Sequence, residues 1–285
     1  MENKFNVFSL ENYPESQNRA EKLACYMKYD TLLILNDKFN FIGRGKSGIW
    51  CAGININEPY RIMLFLNYEE HNKRKVIIWS KDLKHISNGL RILKQLNYKN
   101  EIKLFNENDF LCHSTTIESF VSILKDKAVY SYSELQKRNH SIETYRKELK
   151  EPKDYFKYID LCKKNSISSE IVVASRQFKH INDSFDIKYK PGVRMYFKGS
   201  TIRKVKGCCS DGLHVAMVYK KIPIKYAEFF IIAYKSEFDR LLSINNFSEK
   251  KDILNKIIFL EEKEYWSPKE FIEKCNNIIM NYKNR

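Results

Sequence analysis

Between residues 31 and 80 the chain is cut into runs too short for most helices and too apolar for loops. TLLILND, FNFIGRG, GIWCAGIN, YRIMLFLNY and KVIIWS are rich in β-branched and aromatic residues. Asn-Asp, Gly or Asn-Glu-Pro punctuation separates them, the pattern of strands joined by turns. Asn36-Asp37 and Asn55 to Pro59 read as the turns of an antiparallel meander. Ser80 then caps an expected helix, KDLKHISNGLRILKQLN, in which Leu83, Ile86, Leu90, Leu93 and Leu96 recur at helical spacing. Residues 1–105 are thus expected to form a small α+β domain, a meander plus a helix.

The chain has 285 residues, enough for one large or two modest domains, and its 43% hydrophobic and 14% aromatic content argues against disorder. Fifty basic residues against 35 acidic ones leave a net charge of +15. A solvated lysine-rich surface accounts for that excess, and so does a polyanionic partner whose phosphates it would neutralise. An anionic membrane is disfavoured because no basic amphipathic helix stands out. The seven cysteines are scattered, without a CxxC, which fits a reducing compartment and excludes a zinc site at ordinary ligand spacing. The first residues lack an apolar h-region, and no run of about 18 apolar residues occurs, so a cytoplasmic protein is expected.

The second region is expected to span residues 106–285. A short strand over Phe110, Leu111 and Cys112 leads into His113, and Thr115 or Thr116 is placed to cap a helix over Ile117 to Leu124. Residues 134–165 are polar and lysine-rich and read as helical or mobile. Strands are expected at EIVVAS, VRMYFKG, GLHVAMVYK and AEFFIIAYK. The tail from Glu249 offers a strand at Lys256 to Leu260 and a helix from Pro268. Strands with interspersed helices but no regular βαβ alternation mean α+β with a mostly antiparallel sheet.

Three constellations reduce to ordinary structure. Asn40-Phe-Ile-Gly-Arg-Gly-Lys-Ser47 has the look of a phosphate loop, but glycine is missing at Asn40 and a strand comes next where a helix must. Cys208-Cys209 carries no cue for a lowered thiol pKa. His214 alternates with apolar neighbours and reads as a satisfied sheet histidine. The HSTT stretch differs, because a histidine and hydroxyls at a strand-to-helix junction suit a bound nucleotide.

The motifs from His113 onward carry a resemblance through their order. His113-x-Thr115, then Ser122-Ile123-Leu124, Arg176, Met195-Tyr196-Phe197 and the run Ala227 to Tyr234 resembles the DarT-type DNA ADP-ribosyltransferase toxins over about residues 108 to 245. The chain departs from that family at Ser119, where asparagine is usual, and at Lys127, where glycine usually closes the helix. The polar turn after the YF strand also lacks the family's proline-rich form. The resemblance implies an ADP-ribosyltransferase-like, mixed, mostly antiparallel sheet domain that consumes NAD.

In that reading His113 and Thr115 bind the nicotinamide-side ribose and amide, and Arg176 holds the pyrophosphate or the acceptor. Tyr196 stacks on nicotinamide, walls the pocket or is simply a core aromatic. Glu261 is the favoured catalytic carboxylate, with Glu262 and Glu228 as alternatives. The acceptor would be a base in single-stranded DNA or RNA, tracked by the 134–165 segment with Tyr130 and Tyr132. A neutralising antitoxin partner is expected by analogy. A non-catalytic nucleic-acid binder, or transfer to protein, are the rival expectations.

Overall fold

The computed structural model describes residues 5–95, 104–140, 151–180, 182, 184–244 and 251–283. The chain divides into two compact units. The first holds residues up to 104 together with 151–155 and Cys209–Val215; the second holds the other described residues.

The first unit runs β1 (Asn6–Val7), α1 (Gln17–Tyr26), β2 (Thr31–Asn36), β3 (Phe41–Arg44), β4 (Trp50–Asn55), α2 (Pro59–His71), β5 (Val76–Ser80) and α3 (Leu83–Gln95). Its sheet order is β1-β5-β2-β4-β3, and only the β3–β4 pair is antiparallel. This corrects the expected meander. The YRIMLFLNY run is helix α2, begun by Pro59 in its first turn and burying Ile62, Met63, Phe65, Leu66 and Glu69 at helical intervals. A short apolar run does not by itself separate a strand from a buried helix. Here the helix wins because it carries the chain from β4 across to the parallel strand β5.

Both faces of this sheet are covered, which explains why β2, β4 and β5 are continuously apolar rather than alternating. Leu33, Leu35, Ile54 and Ile78 pack against Ile62, Phe65 and Leu66 of α2. On the other face Leu32, Ile34, Ile77 and Trp79 pack with Ala20 and Ala24 of α1. The glycine-rich segment is the β3–β4 turn, as its flanks imply. The Ser47 N–H donates to the Glu21 carboxylate at 3.1 Å, so an internal carboxylate occupies the place a phosphate would take. Leu96 lies outside the described residues.

The second unit contains β6 (Phe110–Thr115), α4 (Ile117–Asp126), β7 (Ala128–Tyr130), α5 (Tyr132–Lys137), β8 (Tyr158–Lys163), α6 (Ser168–Phe178) and β9 (Val193–Lys198). It continues through β10 (Cys208–Cys209), β11 (Ala216–Tyr219), β12 (Lys221–Pro223), β13 (Phe229–Ile232), α7 (Lys235–Ile244), β14 (Ile257–Phe259) and α8 (Pro268–Lys283). A seven-stranded sheet has the order β10-β11-β8-β6-β9-β13-β14, and β7 pairs with β12 separately. The pairs β11–β8, β8–β6, β6–β9 and β9–β13 are antiparallel, whereas β13 and β14 run parallel. The mixed, mostly antiparallel sheet expected for this half is present.

Two local readings change. EIVVAS belongs to α6, because Glu170, Val173 and Ala174 are buried at helical spacing against the sheet. The polar 134–165 segment contributes an inner strand, β8, whose Ile159 and Leu161 are buried between half-buried neighbours. Its residues 141–150 lie outside the described residues.

Candidate functional site

Side chains alternate across a strand, so β6 sends Cys112 and Ser114 to one face and His113 and Thr115 to the other. The register sets His113 opposite Met195 and Thr115 opposite Val193. His113 is half-buried, with its Nδ1 3.2 Å from the Asp160 carbonyl oxygen. Thr115 is buried; the helix cap is Thr116, whose hydroxyl accepts from the Ser119 N–H at 3.3 Å. At the far end of α4, Lys127 takes the left-handed conformation (φ 55°), the geometry for which glycine is the usual residue. Gly192 is required by close approach: a Cβ there would stand 2.0 Å from the Thr115 carbonyl oxygen.

The register also defines one end of the sheet. Thr115 pairs with Val193, Val193 with Ile232, and Ile232 with Phe259. The Leu260 N–H continues the row by donating to the Ile232 carbonyl at 2.9 Å. Glu261 therefore leaves the sheet at the same end as Thr115, three strand spacings away, or about 14 Å. Glu261 is exposed and lines an open depression with Lys263, Trp266, Glu270 and Lys274.

The other two glutamates are placed differently. Glu262 accepts from the Ser236 N–H at 2.7 Å and from its hydroxyl at 3.0 Å, which ties it to the start of α7. Those bonds hold its carboxyl below the usual range. Glu228 lies at the opposite end of the sheet, its N–H donating to the Tyr196 carbonyl and its carboxylate 3.2 Å from Lys198. A further carboxyl pair carries no sequence motif. Glu118 in the first turn of α4 and Glu237 in the first turn of α7 share a hydrogen bond, and burial together with the Glu118 charge pushes Glu237 upward.

Arg176 projects from the last turn of α6 and is half-exposed. That helix covers the Cys112–Ser114 face, since Ser114 donates to Glu170 at 2.5 Å and to Ser169 at 3.1 Å. Next to Arg176, Gln177 bonds both the N–H and the carbonyl of Lys190, just before Gly192. Arg176 and His113 thus share a sheet end but rise from elements on opposite faces. Tyr196 is fully buried, stacked on Phe229 at 4.8 Å, with its hydroxyl accepting from Arg194 Nε at 2.9 Å.

Arg194, which no motif pointed to, is the most heavily bonded side chain behind the site. It is 0% exposed and ion-pairs with Glu170 at 2.5 Å. It also donates to Ser169, Ser114, and the Lys164 and Ser166 carbonyls. Burial alone would weaken its charge; Cys112, Tyr196 and Glu170 around it outweigh that and hold its pKa above the ordinary value. The alternation in VRMYFK signals a charged, outward position, and only the neighbouring α6 turns that face inward.

Elsewhere in this unit a basic surface is interleaved with aromatic rings. Arg138 lies 3.9 Å over the Tyr130 ring and Lys220 lies 5.0 Å over Tyr219. Tyr219 meets Tyr158 edge-on at 5.6 Å, and Tyr132 meets Phe156 at 5.3 Å. Lys157, Lys221 and Lys225 are exposed around these rings. The strand pairs Tyr130–Lys221 and Tyr158–Tyr219 join them into one region.

Among the described residues no group of His, Cys, Asp or Glu is arranged to hold a metal ion, and no helix is long and apolar enough to cross a membrane. Comparison with family models, with curated proteins and with solved structures finds no match for this chain.

Proposed function

We propose that this protein is an ADP-ribosyltransferase that transfers ADP-ribose from NAD to a base in single-stranded DNA or RNA, acting as a cytoplasmic toxin or defence effector held in check by an antitoxin. The observation that carries the reading is the shared row of Thr115, Val193, Ile232 and Phe259, which brings the ends of β6 and β14 to one edge. His113 would then meet the nicotinamide-side ribose, with the buried Thr115 shaping the strand end behind it. Glu261, about 14 Å along the same sheet end, would reach the reacting carbon from the acceptor side once NAD and the base fill the space between. In transfer, the bond between the ribose anomeric carbon and nicotinamide breaks, with nicotinamide keeping the electron pair. A base nitrogen attacks that carbon and its proton passes to the Glu261 carboxylate, which also stabilises the oxocarbenium-like centre. Arg176 would hold a phosphate from the opposite face, and Tyr196 would fix the sheet through the core rather than touch the substrate.

The ring-and-lysine surface around Tyr130 and Tyr219 supports the choice of a single-stranded polynucleotide, since stacked rings and lysines suit exposed bases and phosphates together. The same surface favours a second reading, a binder without catalysis. Incubation with labelled NAD and separate pools of single-stranded DNA, RNA and protein separates the two. Label in one nucleic-acid pool, lost in His113→Ala and Glu261→Gln, is the expected result. Nucleic-acid binding with no label in any pool would leave the binder, and label in the protein pool alone would redirect the acceptor.

A further inference from the structure

Cys112 and Cys162 stand directly opposite each other on the antiparallel strands β6 and β8. Their sulfurs are 3.3 Å apart. Each thiol also reaches the other strand's backbone: Cys112 Sγ approaches the Cys162 carbonyl at 3.4 Å, and Cys162 Sγ approaches the Cys112 carbonyl at 3.6 Å. Directly opposed residues of an antiparallel pair have Cα atoms about 4.5–5.5 Å apart, inside the range a disulfide spans. The register and the 3.3 Å sulfur separation therefore place the two thiols close enough for a disulfide to be considered.

Their surroundings make the pair unequal. Cys162 is half-buried and its Sγ lies 3.5 Å from the Ser169 hydroxyl in the first turn of α6, where helix N–H groups favour an anion. Arg194 faces it from β9, bonded to that same Ser169, with Glu170 of α6 as the opposing charge. The hydrogen bond from Cys112, with Arg194 and Ser169 behind it, lowers the Cys162 thiol to about 6, while burial pushes Cys112 well above the ordinary thiol value. The other shifted thiols move the opposite way: burial raises Cys208 to about 11 and both Cys51 and Cys275 to about 12.

We propose that Cys112 and Cys162 are a peroxide-reactive thiol pair that closes to a reversible cross-strand disulfide. The Cys162 thiolate attacks one oxygen of hydrogen peroxide; the O–O bond breaks and hydroxide leaves, to be protonated to water, forming a sulfenic acid. Cys112 gives up its proton and attacks the Cys162 sulfur, the S–O bond breaks and a second water departs. Two thiols are oxidised by two electrons and one peroxide is reduced to two waters. Because Cys112 immediately precedes His113, and Asp160, whose carbonyl faces the His113 ring, lies two residues before Cys162, closure fastens the strand pair that orients the histidine. The disulfide chemistry itself does not depend on what His113 binds.

The test is peroxide treatment of the full-length protein, alkylation of remaining thiols and peptide mapping. A linked peptide pair carrying Cys112 and Cys162, lighter by two hydrogens and reversed by dithiothreitol, is expected. Cys112→Ala should leave a sulfenic acid at Cys162 that dimedone traps, and Cys162→Ala should abolish linkage while circular dichroism reports the fold. Complete alkylation of both residues after a treatment that oxidises exposed Cys25, or linkage confined to Cys208 and Cys209, overturns the proposal. Because the wild-type map decides on its own, a variant that fails to fold does not shelter it.

Discussion

The two sheets solve burial in opposite ways. In the first unit, β2, β4 and β5 are apolar on both faces, and the buried Glu69 of α2 is held at the start of β2 by the Thr31 hydroxyl and by Arg74, which also pairs with Asp154. In the second, an arginine projects from a central strand and its partner comes from the covering helix. Nonpolar burial tolerates local repacking, whereas a buried charge depends on one partner remaining in place. The first unit therefore keeps its buried charges, Glu21, Glu69 and Asp211, on a helix or loop flanking an apolar sheet, whereas the second sets a buried ion pair on a central strand directly behind β6.

That contrast is most exposed by Glu170→Ala, which leaves Arg194 buried without its carboxylate and should cost about 3–5 kcal/mol in urea unfolding. Replacing both partners together, Arg194→Met with Glu170→Leu, should recover most of the loss. A single variant as benign as a surface change would break the comparison. Next in size, Leu33→Ala in the apolar sheet should cost about 3 kcal/mol by opening a cavity. Trp50 and Trp79 report the first unit and Trp266 the second, so fluorescence of single-tryptophan variants assigns each loss to its sheet.

A smaller effect concerns acid. Burial alone would raise Asp211, but the His214 ring and the Leu213 and His214 N–H groups outweigh it and hold its carboxyl below the usual range. A depressed carboxyl contributes stability above its unfolded value, near 4, and loses it as the pH falls through the folded value. Asp211→Asn should flatten the acid limb of the first unit's stability curve and leave the second unit's unchanged. The smallest expected change is that of the helix caps: Ser16→Ala on α1 and Thr116→Ala on α4 should each cost about 1 kcal/mol in thermal unfolding. Unequal costs would show that cap strength depends on the sheet beneath rather than the local bond.

Much of the second unit is legible in the sequence. The strand over 110–112 and the helix after Thr116 arise from local chemistry, and AEFFIIAY contains its predicted strand. The YRIMLFLNY run is illegible because nine apolar-rich residues satisfy both periods until the neighbours are known. β8 is hidden by flanking lysines that mask its alternation. The placement of His113 and Thr115 at a strand end just before a helix is readable because strand end and cap adjoin in sequence. Arg194, the Cys112–Cys162 pair and the Glu118–Glu237 pair are not, since each is assembled by strand register or helix packing between distant residues.

Residues 151–155 and Cys209–Val215 belong to the first unit although they lie beyond the middle of the chain. Arg61 donates to the Gly212 carbonyl at 2.8 Å across 151 positions, and Tyr68 donates to Asp154 at 2.7 Å. Gly212 (φ +81°) approaches so closely that a Cβ would stand 2.2 Å from the Arg61 carbonyl oxygen. During synthesis the five strands of the early sheet are complete by Ser80, but α2 lacks this covering segment until the chain around Gly212 clears the ribosome. A stalled or truncated chain would expose Trp50 and Tyr68 and give chaperones and proteases something to recognise before any of the later chemistry is assembled.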